Sequence, residues 1–432
     1  MKMANMDDYF DVVIVGTGAA GLYCALNLPA RYRILLLTKQ KADESDSFLA
    51  QGGICMQHGE ADYRPFFDDT MRAGHYENNP ATVDLMIRSS NSIIRDLVRR
   101  GVRFARDDHG ALRFTREGAH SRPRILFHED ITGHEITQTL LNEVLRCENI
   151  ELREHTTLLD FFADASACGG VIAAGLDGEQ RAIGAGAVVL ACGGIGGLYK
   201  NSTNFPHITG DAIAMALRHG VACEHLDYIQ IHPTTLYSHR KGRRFLISES
   251  VRGEGALLLD KNGNRFTNEL QPRDVVSAAI RAQMEKDGTD HVWEDMRPIG
   301  EAAIREHFPN ILERCEEEGY DPIHEPIPVV PAQHYFMGGI TADLSSRTAL
   351  PRLYACGETC CNGVHGRNRL ASNSLLESLV FAQRAADDIL YGEPPVFTGD
   401  KPDLAPYREQ EPLFAAYRQE VLTAIERSKN HE

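Results

Sequence analysis

The sequence predicts an α/β fold with a second region inserted into it. The first observation is a buried-strand run, DVVIV (11–15), followed by the glycine turn GTGAAG (16–21) and the helical segment LYCALNL (22–28). The second is a later apolar run that also ends in glycines, AVVLACGGIGGLY (187–199). The third is an irregular pattern between residues 223 and 335. Strand, glycine turn and helix in this order are typical of a dinucleotide-binding fold.

Each glycine of the first turn has an expected role in such a fold. Gly16 permits the tight turn, and Gly18 lets the backbone approach a pyrophosphate at the N-terminus of the helix. Gly21 allows the helix to pack close to the sheet. The second strand, RILLLTKQ, departs from the usual pattern, because it ends in Thr38 and Lys39 where an acid normally holds the ribose.

The segments after the first turn follow a regular pattern up to the insertion. Apolar residues recur at helical spacing in 80–102 and 133–147, which predicts two core-facing helices. Alternating apolar residues between 149 and 193 predict strands. A short strand (350–358) and an amphipathic helix (373–392) then return the chain to the first domain.

These patterns predict three parts of the chain. Residues 1–222 and 336–393 are expected to form the nucleotide-binding domain. Residues 223–335, rich in His, Arg, Pro and Gly, are expected to form a smaller α+β cap domain. Residues 394–432 are expected to form a short tail that ends in a charged helix.

Composition excludes several classes of protein. The chain has 432 residues, more than one core supports, with 45 basic and 61 acidic residues. Its net charge of -16 disfavours nucleic acid and anionic membranes as partners. The acidic N-terminus does not resemble a secretory signal, and no run of about twenty apolar residues predicts a membrane span. Ten cysteines without a CxxC pair predict reduced thiols in a cytoplasmic protein with no metal site.

A series of short motifs occurs in order over about residues 10–390. They are GTGAAGL, AQGGI (50–54), TREGAHS (115–121), GDAIAMA (210–216), IHPT (231–234), ESVRGEGA (249–256), RFTNE (265–269), PRDVV (272–276), HYFMGGI (334–340), ACGE (355–358) and NRLASNSLLE (368–377). Together they resemble the flavoprotein family of L-aspartate oxidase and of the fumarate reductase and succinate dehydrogenase flavoprotein subunits. Such a set is far more specific than a single glycine motif.

The resemblance implies a Rossmann-like FAD-binding domain, an inserted α+β capping domain over the substrate and a short C-terminal helical tail. It also explains why Lys39 stands where an acid is usual, since this family commonly has a Thr-Lys or Ser-Lys pair at that position. The tail would then be a truncated remnant of the family's helical domain. The FAD contacts implied by the matched motifs are Gly16, Gly18, Ala19, Ala20, Gly21, Thr38, Lys39, Ser47, Ala50, Gln51, Gly52, Gly53, Asp211, Glu358, Ser372, Ser374 and Leu375.

The resemblance implies more detailed roles for the residues near the flavin ring and for the residue just before the AQGG motif. The amide groups at the start of the helix near Ser374 would lie by the flavin ring, and Glu358 would contact the ribityl chain. Relatives that bind FAD covalently use a histidine just before the AQGG motif. This chain has Asp46 at that place, followed by Ser47, so we expect FAD to be held non-covalently.

A dicarboxylate oxidised at a flavin needs both carboxylates anchored by cations and hydrogen-bond donors. By resemblance these contacts are Arg369, His334, His232 and Ser248. The role of Arg367 stays open, because relatives usually carry alanine there.

The resemblance also implies a proton-transfer group. Arg273 matches an arginine that passes a proton to or from the substrate, supported by Glu249 and Arg252. An arginine is protonated in almost any site, so its role is electrostatic as well as proton-transferring. The alternative is an ordinary buried ion-pair network.

Glu117 is one carboxylate in a segment with three arginines and a histidine. Aspartate, unlike succinate, carries an ammonium at the carbon to be oxidised, which a purely cationic pocket would repel. Glu117 matches the glutamate that receives the substrate amino group in the aspartate-oxidising relatives. The alternative is that Glu117 pairs only with Arg116 or Arg122.

The resemblance therefore implies FAD-dependent oxidation of L-aspartate to iminoaspartate, with oxygen or fumarate as electron acceptor. This would be the first step toward quinolinate and NAD, with quinolinate synthase as a partner. A soluble fumarate reductase or a succinate dehydrogenase-type flavoprotein is the alternative, which Asp46 and Glu117 disfavour. A flavin-binding protein without catalysis is a third reading, which the set Arg273, Arg369 and the two histidines argues against.

Overall fold

The computed structural model describes residues 8–240, 242–392 and 397–430. The first seven residues of the predicted FAD-binding domain and the predicted junction between 393 and 394 lie outside the described residues. The strands are β1 Asp8–Val15, β2 Ile34–Leu37, β3 Ile54–Cys55, β4 Phe114–Thr115, β5 Ile125–Leu126, β6 Ile150–Arg153, β7 Thr157–Ala163, β8 Cys168–Ala174, β9 Gln180–Leu190, β10 Cys223–Glu224, β11 Ile229–Leu236, β12 Leu257–Leu259, β13 Val292–Asp295, β14 Ile327–Phe336, β15 Gly339–Thr341, β16 Leu353–Ala355 and β17 Cys360–Cys361. The helices are α1 Ala19–Asn27, α2 Tyr63–Ala73, α3 Pro80–Arg100, α4 Thr132–Val144, α5 Asp211–Arg218, α6 Glu249–Gly253, α7 Arg273–Asp287, α8 Glu301–His307, α9 Pro309–Glu317, α10 Asn373–Tyr391 and α11 Gln410–Lys429.

A seven-stranded sheet forms the centre of the larger part, with six strands in the order β6-β2-β1-β9-β8-β7 and β16 as the seventh, paired with β9. Strands β6, β2, β1 and β9 are parallel, and β16 pairs with the carboxyl end of β9 while β8 pairs with its amino end. Val12 and Ile14 pack into one core, and Val13 and Val15 pack into another on the opposite face. A strand buried on both faces needs a continuous apolar run, which is why DVVIV is recognisable in the sequence.

The first glycine turn brings α1 against the sheet at very short range. Gly16 has a φ of +114°, and a Cβ at this residue would lie 2.0 Å from the carbonyl oxygen of Ala191. A Cβ on Gly21 would lie 1.9 Å from the carbonyl oxygen of Gly16. Only glycine fits at either position, so the turn places the N-terminus of α1 at the carboxyl ends of β1 and β9.

A second, four-stranded antiparallel sheet has the order β11-β14-β13-β12. It has its own core, to which α7, α8 and α9 contribute apolar side chains. These elements fall within residues 229–336, so they agree with an inserted α+β region. The exact boundaries of the domains remain a prediction.

The last two long helices belong to the larger part. Helix α10 packs on α1 and α3, and α11 packs on α5. Tyr417, Val421 and Ile425 of α11 join the core that covers one face of the seven-stranded sheet. The Tyr417 hydroxyl also donates a hydrogen bond to the carbonyl oxygen of Leu159, at 2.7 Å.

Within the described ranges, none of the helices combines the length and apolar character needed to cross a membrane.

Replacing Gly21 by alanine should destabilise the protein by at least about 1–3 kcal/mol, because the added methyl group overlaps a backbone oxygen that cannot move away. The measurement is the apparent Tm of the FAD-loaded protein. Gly175→Ala is the matched control, since the nearest atom to its new Cβ lies at 3.5 Å. An unchanged Tm for Gly21→Ala would contradict the close packing of α1 on the sheet.

Candidate active site

One large cavity lies between the first glycine turn, the second glycine turn and the four-stranded sheet. It holds about 1700 Å³ of empty space, part of it open to solvent. The residues of the predicted FAD set that line it are Gly16, Gly18, Ala20, Thr38, Lys39, Ser47, Ala50, Gln51, Gly52, Gly53, Asp211, Glu358, Ser372, Ser374 and Leu375. Ala19 and Gly21 do not line it: the Ala19 amide donates to Ser47 Oγ at 3.0 Å, and Gly21 faces the sheet.

Lys39 and Asp211 form an ion pair on the wall of the cavity. Lys39 Nζ lies 2.7 Å from Asp211 Oδ2 and donates a second hydrogen bond to the carbonyl oxygen of His207, at 3.1 Å. The ammonium also lies 5.0 Å from the centre of the Phe414 ring in α11. The pair supplies both a cation and an anion beside the N-terminus of α1, where the ribose and phosphates of a dinucleotide are usually held.

Several polar atoms on the cavity wall are buried and have no hydrogen-bond partner within the described part of the chain. They are Ser45 Oγ, Asp46 Oδ2, Gln51 Oε1, His232 Nε2 and Arg369 Nε. Buried polar atoms are nearly always hydrogen-bonded in native proteins, so this group indicates a polar ligand. The donors and acceptors are spread from the glycine turn to the arginine cluster, which suits a long molecule such as FAD.

Two buried carboxyl groups flank this wall. Burial raises the pKa of Asp46 to about 7, and burial together with the charge of Asp46 raises that of Glu358 to about 8. Asp46 Oδ1 accepts the Phe205 amide and Glu358 Oε1 accepts the Phe336 amide, each at 2.9 Å. Neither carboxyl is locked in an ion pair within the described residues.

Arg369 lies at the other end of the cavity, just before α10. Its Nη1 donates to Ser374 Oγ at 2.9 Å, and its guanidinium stacks 4.5 Å above the Tyr335 ring. Burial and the nearby charge of Arg273 lower its pKa to about 10, so it stays a cation at neutral pH. The side chain is thus fixed by contacts that leave Nε without a partner.

His232 and His334 stand side by side on the paired strands β11 and β14, with ring centres 5.1 Å apart. His232 Nδ1 lies 3.0 Å from the Thr234 carbonyl oxygen and 3.2 Å from the Thr234 amide nitrogen. When Nδ1 accepts the amide proton, the single proton of the neutral ring is on Nε2, which can then donate to a ligand. His334 Nδ1 lies 2.8 Å from Thr203 Oγ1. Burial, followed by the charge of Arg273, lowers both pKa values well below the usual range. Both rings are therefore neutral hydrogen-bonding groups at pH 7.

Arg273 begins helix α7 and faces Glu249, which begins helix α6. Arg273 Nε donates to Glu249 Oε2, and Arg252 Nη2 lies 3.7 Å from the same oxygen. Burial alone would raise the pKa of Glu249, but the two arginines outweigh it and hold that pKa below its usual value. Arg252 is fully buried behind Glu249 and does not line the cavity, so it reaches the site only through that carboxylate.

Gln230 is a residue of this cluster that the sequence did not reveal. Its Oε1 accepts a hydrogen bond from Arg273 Nη1 at 2.9 Å, and its Nε2 donates to the Arg369 carbonyl oxygen at 2.8 Å. It therefore links the two arginines. Its position two residues before His232 on one strand places both side chains on the same face, which is the only sequence signal for it.

Glu117 does not pair with Arg116 or Arg122. Its Oε1 accepts the Ser250 hydroxyl at 2.9 Å and its Oε2 accepts the Ser372 hydroxyl at 2.5 Å. Burial, and then the charge of Glu249, raises the pKa of Glu117 above its usual value. Glu117, the residue expected to receive the substrate amino group, lines the cavity. It forms no ion pair with any described residue.

Other singled-out residues lie outside the site. Arg367 faces away from the cavity, with its Nη1 3.8 Å from Glu77 Oε1 and its guanidinium near the Tyr228 ring. All ten cysteines are free thiols, and Cys360 and Cys361 are buried in a strand. In the part of the chain that the structure describes, no cluster of three or more His, Cys, Asp or Glu side chains could hold a metal ion.

Residues 11–375 match the family model described as FAD binding domain. The fold and the cavity therefore define a flavoprotein, and its cofactor is FAD.

Two similar proteins show more specifically which family of flavoproteins this chain belongs to. An L-aspartate oxidase of Clostridium perfringens is 48% identical over 380 residues, which cover 88% of this chain and 86% of the relative. An L-aspartate oxidase of Nostoc sp. is 44% identical over 442 residues, covering 98% of this chain and 76% of the relative. The chain belongs to the L-aspartate oxidase family, a branch of the FAD-binding flavoproteins.

Solved structures agree at the level of the fold. The E. coli quinol fumarate reductase chain FrdA, in a mutant form, matches with a TM-score of 0.83 and 30% identity, over 97% of this chain and 74% of that one. A quinol-fumarate reductase with menaquinol molecules matches with a TM-score of 0.84 and 32% identity, over 95% and 75%. The predicted fold class, a Rossmann-like α/β flavoprotein, is confirmed.

Proposed function

We propose that this protein oxidises L-aspartate to iminoaspartate. The observation that carries the proposal is the chemistry of the substrate end of the cavity. Two buried arginines and two neutral histidines surround the space, and Glu117 is a carboxyl group there that forms no ion pair with a described residue. A dicarboxylate with an ammonium group matches this arrangement, because each of its three charges meets an opposite charge or a hydrogen-bond donor.

Positioning of the two carboxylates is assigned to groups on both walls of the cavity. Arg369 and Arg273 supply fixed cations, while His232 and His334 supply hydrogen bonds. Ser248 would join them by turning its hydroxyl proton from Ser250 to the substrate. Charge-assisted contacts of this kind contribute about 1.5–3 kcal/mol each and fix orientation as well as affinity. Held at both ends, the α-carbon of aspartate keeps one orientation toward the cofactor, which supplies the acceptor for the hydride.

Proton transfer is assigned to Glu117 and to the cluster of Arg273, Glu249 and Arg252. The raised pKa of Glu117 suits it to take a proton from the substrate ammonium, which must become an amine before the α-carbon can give up a hydride. Arg273, with Glu249 and Arg252 behind it, holds the opposite side of the substrate electrostatically and carries a proton when fumarate is reduced. We propose oxygen or fumarate as the electron acceptor. Quinolinate synthase would use the iminoaspartate on the route to NAD.

The second candidate function is dicarboxylate interconversion without an amine, as in a fumarate reductase. The cluster of Arg273, Glu249 and Arg252 favours it, and so does the structural match to quinol fumarate reductases. Glu117 opposes it, because a second buried carboxylate has no use beside a substrate that carries only negative charges.

Anaerobic mixing of the yellow FAD-loaded protein with L-aspartate separates the two functions. We expect aspartate to bleach the flavin absorbance and succinate to bleach it far more slowly, because only aspartate offers an amine to Glu117. The measurement is the rate of absorbance loss in a stopped-flow instrument. Faster bleaching by succinate would favour the dicarboxylate dehydrogenase instead.

Acid precipitation should release all the FAD into the supernatant. Asp46 lines the cavity at the place of the histidine that links FAD in covalent relatives, and a carboxylate cannot form that histidyl bond. The absorbance of the supernatant and of the washed pellet is the measurement. Yellow colour that stays in the pellet would show a covalent link elsewhere in the chain.

Replacing Glu117 by glutamine removes the charge but keeps the size of the side chain. Aspartate oxidation should fall ten- to a thousand-fold in kcat/KM, equivalent to about 1.4–4 kcal/mol. Fumarate reduction should change far less, since fumarate has no ammonium. Both kcat/KM values are measured for wild type and variant, and equal losses would mean that Glu117 only holds the pocket together.

A further inference from the structure

The carboxylate of Glu117 is held by two serine hydroxyls from different parts of the chain. Ser250 is the second residue of the short helix α6, and Ser372 stands immediately before α10. Each hydroxyl donates to a different oxygen of Glu117, at 2.9 Å and 2.5 Å. All three side chains are buried, with exposures of 3% for Glu117 and 7% for each serine. Each oxygen of the Glu117 carboxylate therefore has one hydroxyl donor.

The surroundings of Glu117 otherwise favour its protonated form. Burial is the largest effect that raises its pKa, and the charge of Glu249 adds to it. The Ser372 hydroxyl, the charge of Arg273 and the Ser250 hydroxyl act in the opposite direction. Cys55 also faces Glu117, but its own pKa lies well above the usual range, so it is a neutral thiol. Hydroxyls that donate to a carboxylate stabilise the ionised form selectively.

Ser250 itself is oriented from behind. The Ser248 hydroxyl lies 3.2 Å from the Ser250 hydroxyl, and the Ser250 amide donates to Ser248 Oγ at 3.2 Å. This makes a hydrogen-bonded chain from Ser248, an expected substrate contact, through Ser250 to Glu117. Ser250 does not line the cavity, whereas Ser248 and Glu117 do.

We propose that Ser250 is a positioning residue that keeps Glu117 ionised and aimed at the substrate ammonium. The proposal rests on the proposed oxidation of aspartate. Gly52 supports the same geometry, because a Cβ at that residue would lie 2.2 Å from Glu117 Oε1 and displace the carboxylate. Ser372 shares the task, but it also borders the cofactor region of the cavity, so Ser250 is the cleaner residue to change.

Without its hydroxyl, residue 250 leaves Glu117 with one donor. The carboxylate then takes up a proton at a higher pH, and a protonated Glu117 has no charge for the ammonium and no capacity to accept its proton. In Ser250→Ala, the acid limb of the kcat/KM profile for aspartate should therefore move upward by about one pH unit, which is ten-fold in kcat/KM at acid pH. The acid limb for fumarate reduction should not move.

The test is a pair of pH profiles, aspartate oxidation and fumarate reduction, for the FAD-loaded wild type and four variants. Ser250→Cys keeps the size with a weak donor and should shift the aspartate profile in the same direction, while Ser250→Thr keeps the hydroxyl and should restore it. Ser277→Ala is the matched control, because Ser277 is also a buried serine and donates to the Ile231 carbonyl oxygen at 3.2 Å without touching Glu117. It should leave both profiles in place.

The possible outcomes separate the two levels of the argument. A wild type that does not oxidise aspartate overturns both the function and the role of Ser250. A wild type that oxidises aspartate, with a Ser250→Ala profile that superimposes on it, overturns the role of Ser250 alone. Shifts of the same size in fumarate reduction or in Ser277→Ala would show a general loss of packing and would likewise overturn it.

Discussion

The burial of two arginines at one end of a cavity is the constraint on which the rest of the site depends. Arg273 and Arg369 are taken out of water together, and burial and then the charge of Arg273 lower the pKa of Arg369. Glu249 offsets part of this cost by staying ionised against Arg273. Burial, and after it the charge of Arg273, lowers the pKa of both His232 and His334, so the histidines act as neutral hydrogen-bonding groups. The cluster thereby retains a net attraction for an anionic substrate instead of neutralising itself.

Glu117 is an acidic side chain at the end of the cavity that holds these two arginines. It lies near a second carboxylate in a dry environment, where a lone acid tends to be neutral. Serine hydroxyls on both oxygens give the ionised form a local advantage without supplying a cation. An arginine in their place would also have stabilised the carboxylate. It would, however, have formed an ion pair with Glu117 and so competed with the substrate ammonium. Neutral donors therefore preserve the ability of Glu117 to bind a cation.

The sequence was sufficient where the chain has strong local signals. The run DVVIV and the glycines at 16 and 21 predicted β1, α1 and their contact, because a doubly buried strand and a tight turn each require particular residue types. The helix predicted over 80–102 from its apolar spacing is α3, which begins at Pro80 and ends before Gly101, where φ is +103°. Cavity-lining residues followed from motifs that recur in the family.

The sequence was insufficient where burial removes the pattern. In α6, Glu249, Ser250, Val251 and Arg252 are all buried, so no polar face indicates which side chain meets the cavity. This is why Arg252 could be grouped with Glu249 although it lies behind it, and why Ser250 gave no signal at all. The sequence also gave no signal for Gln230. A glutamine on a strand joins this cluster only because the fold brings Arg273 and Arg369 within hydrogen-bond distance of it.

Lys39 lines the cavity and also contacts Phe414, so it joins the cavity wall to helix α11. The ring that meets this ammonium belongs to α11, whose neighbouring side chains are anchored in the core of the central sheet. FAD bound beside Lys39, as the family resemblance implies, would meet an ammonium that also contacts α11. Any effect of that binding on the docking of α11 would be reciprocal, so docking of the helix would change the affinity for the nucleotide by the same factor. Protection of α11 against proteolysis or hydrogen exchange, compared with and without FAD, would measure that factor.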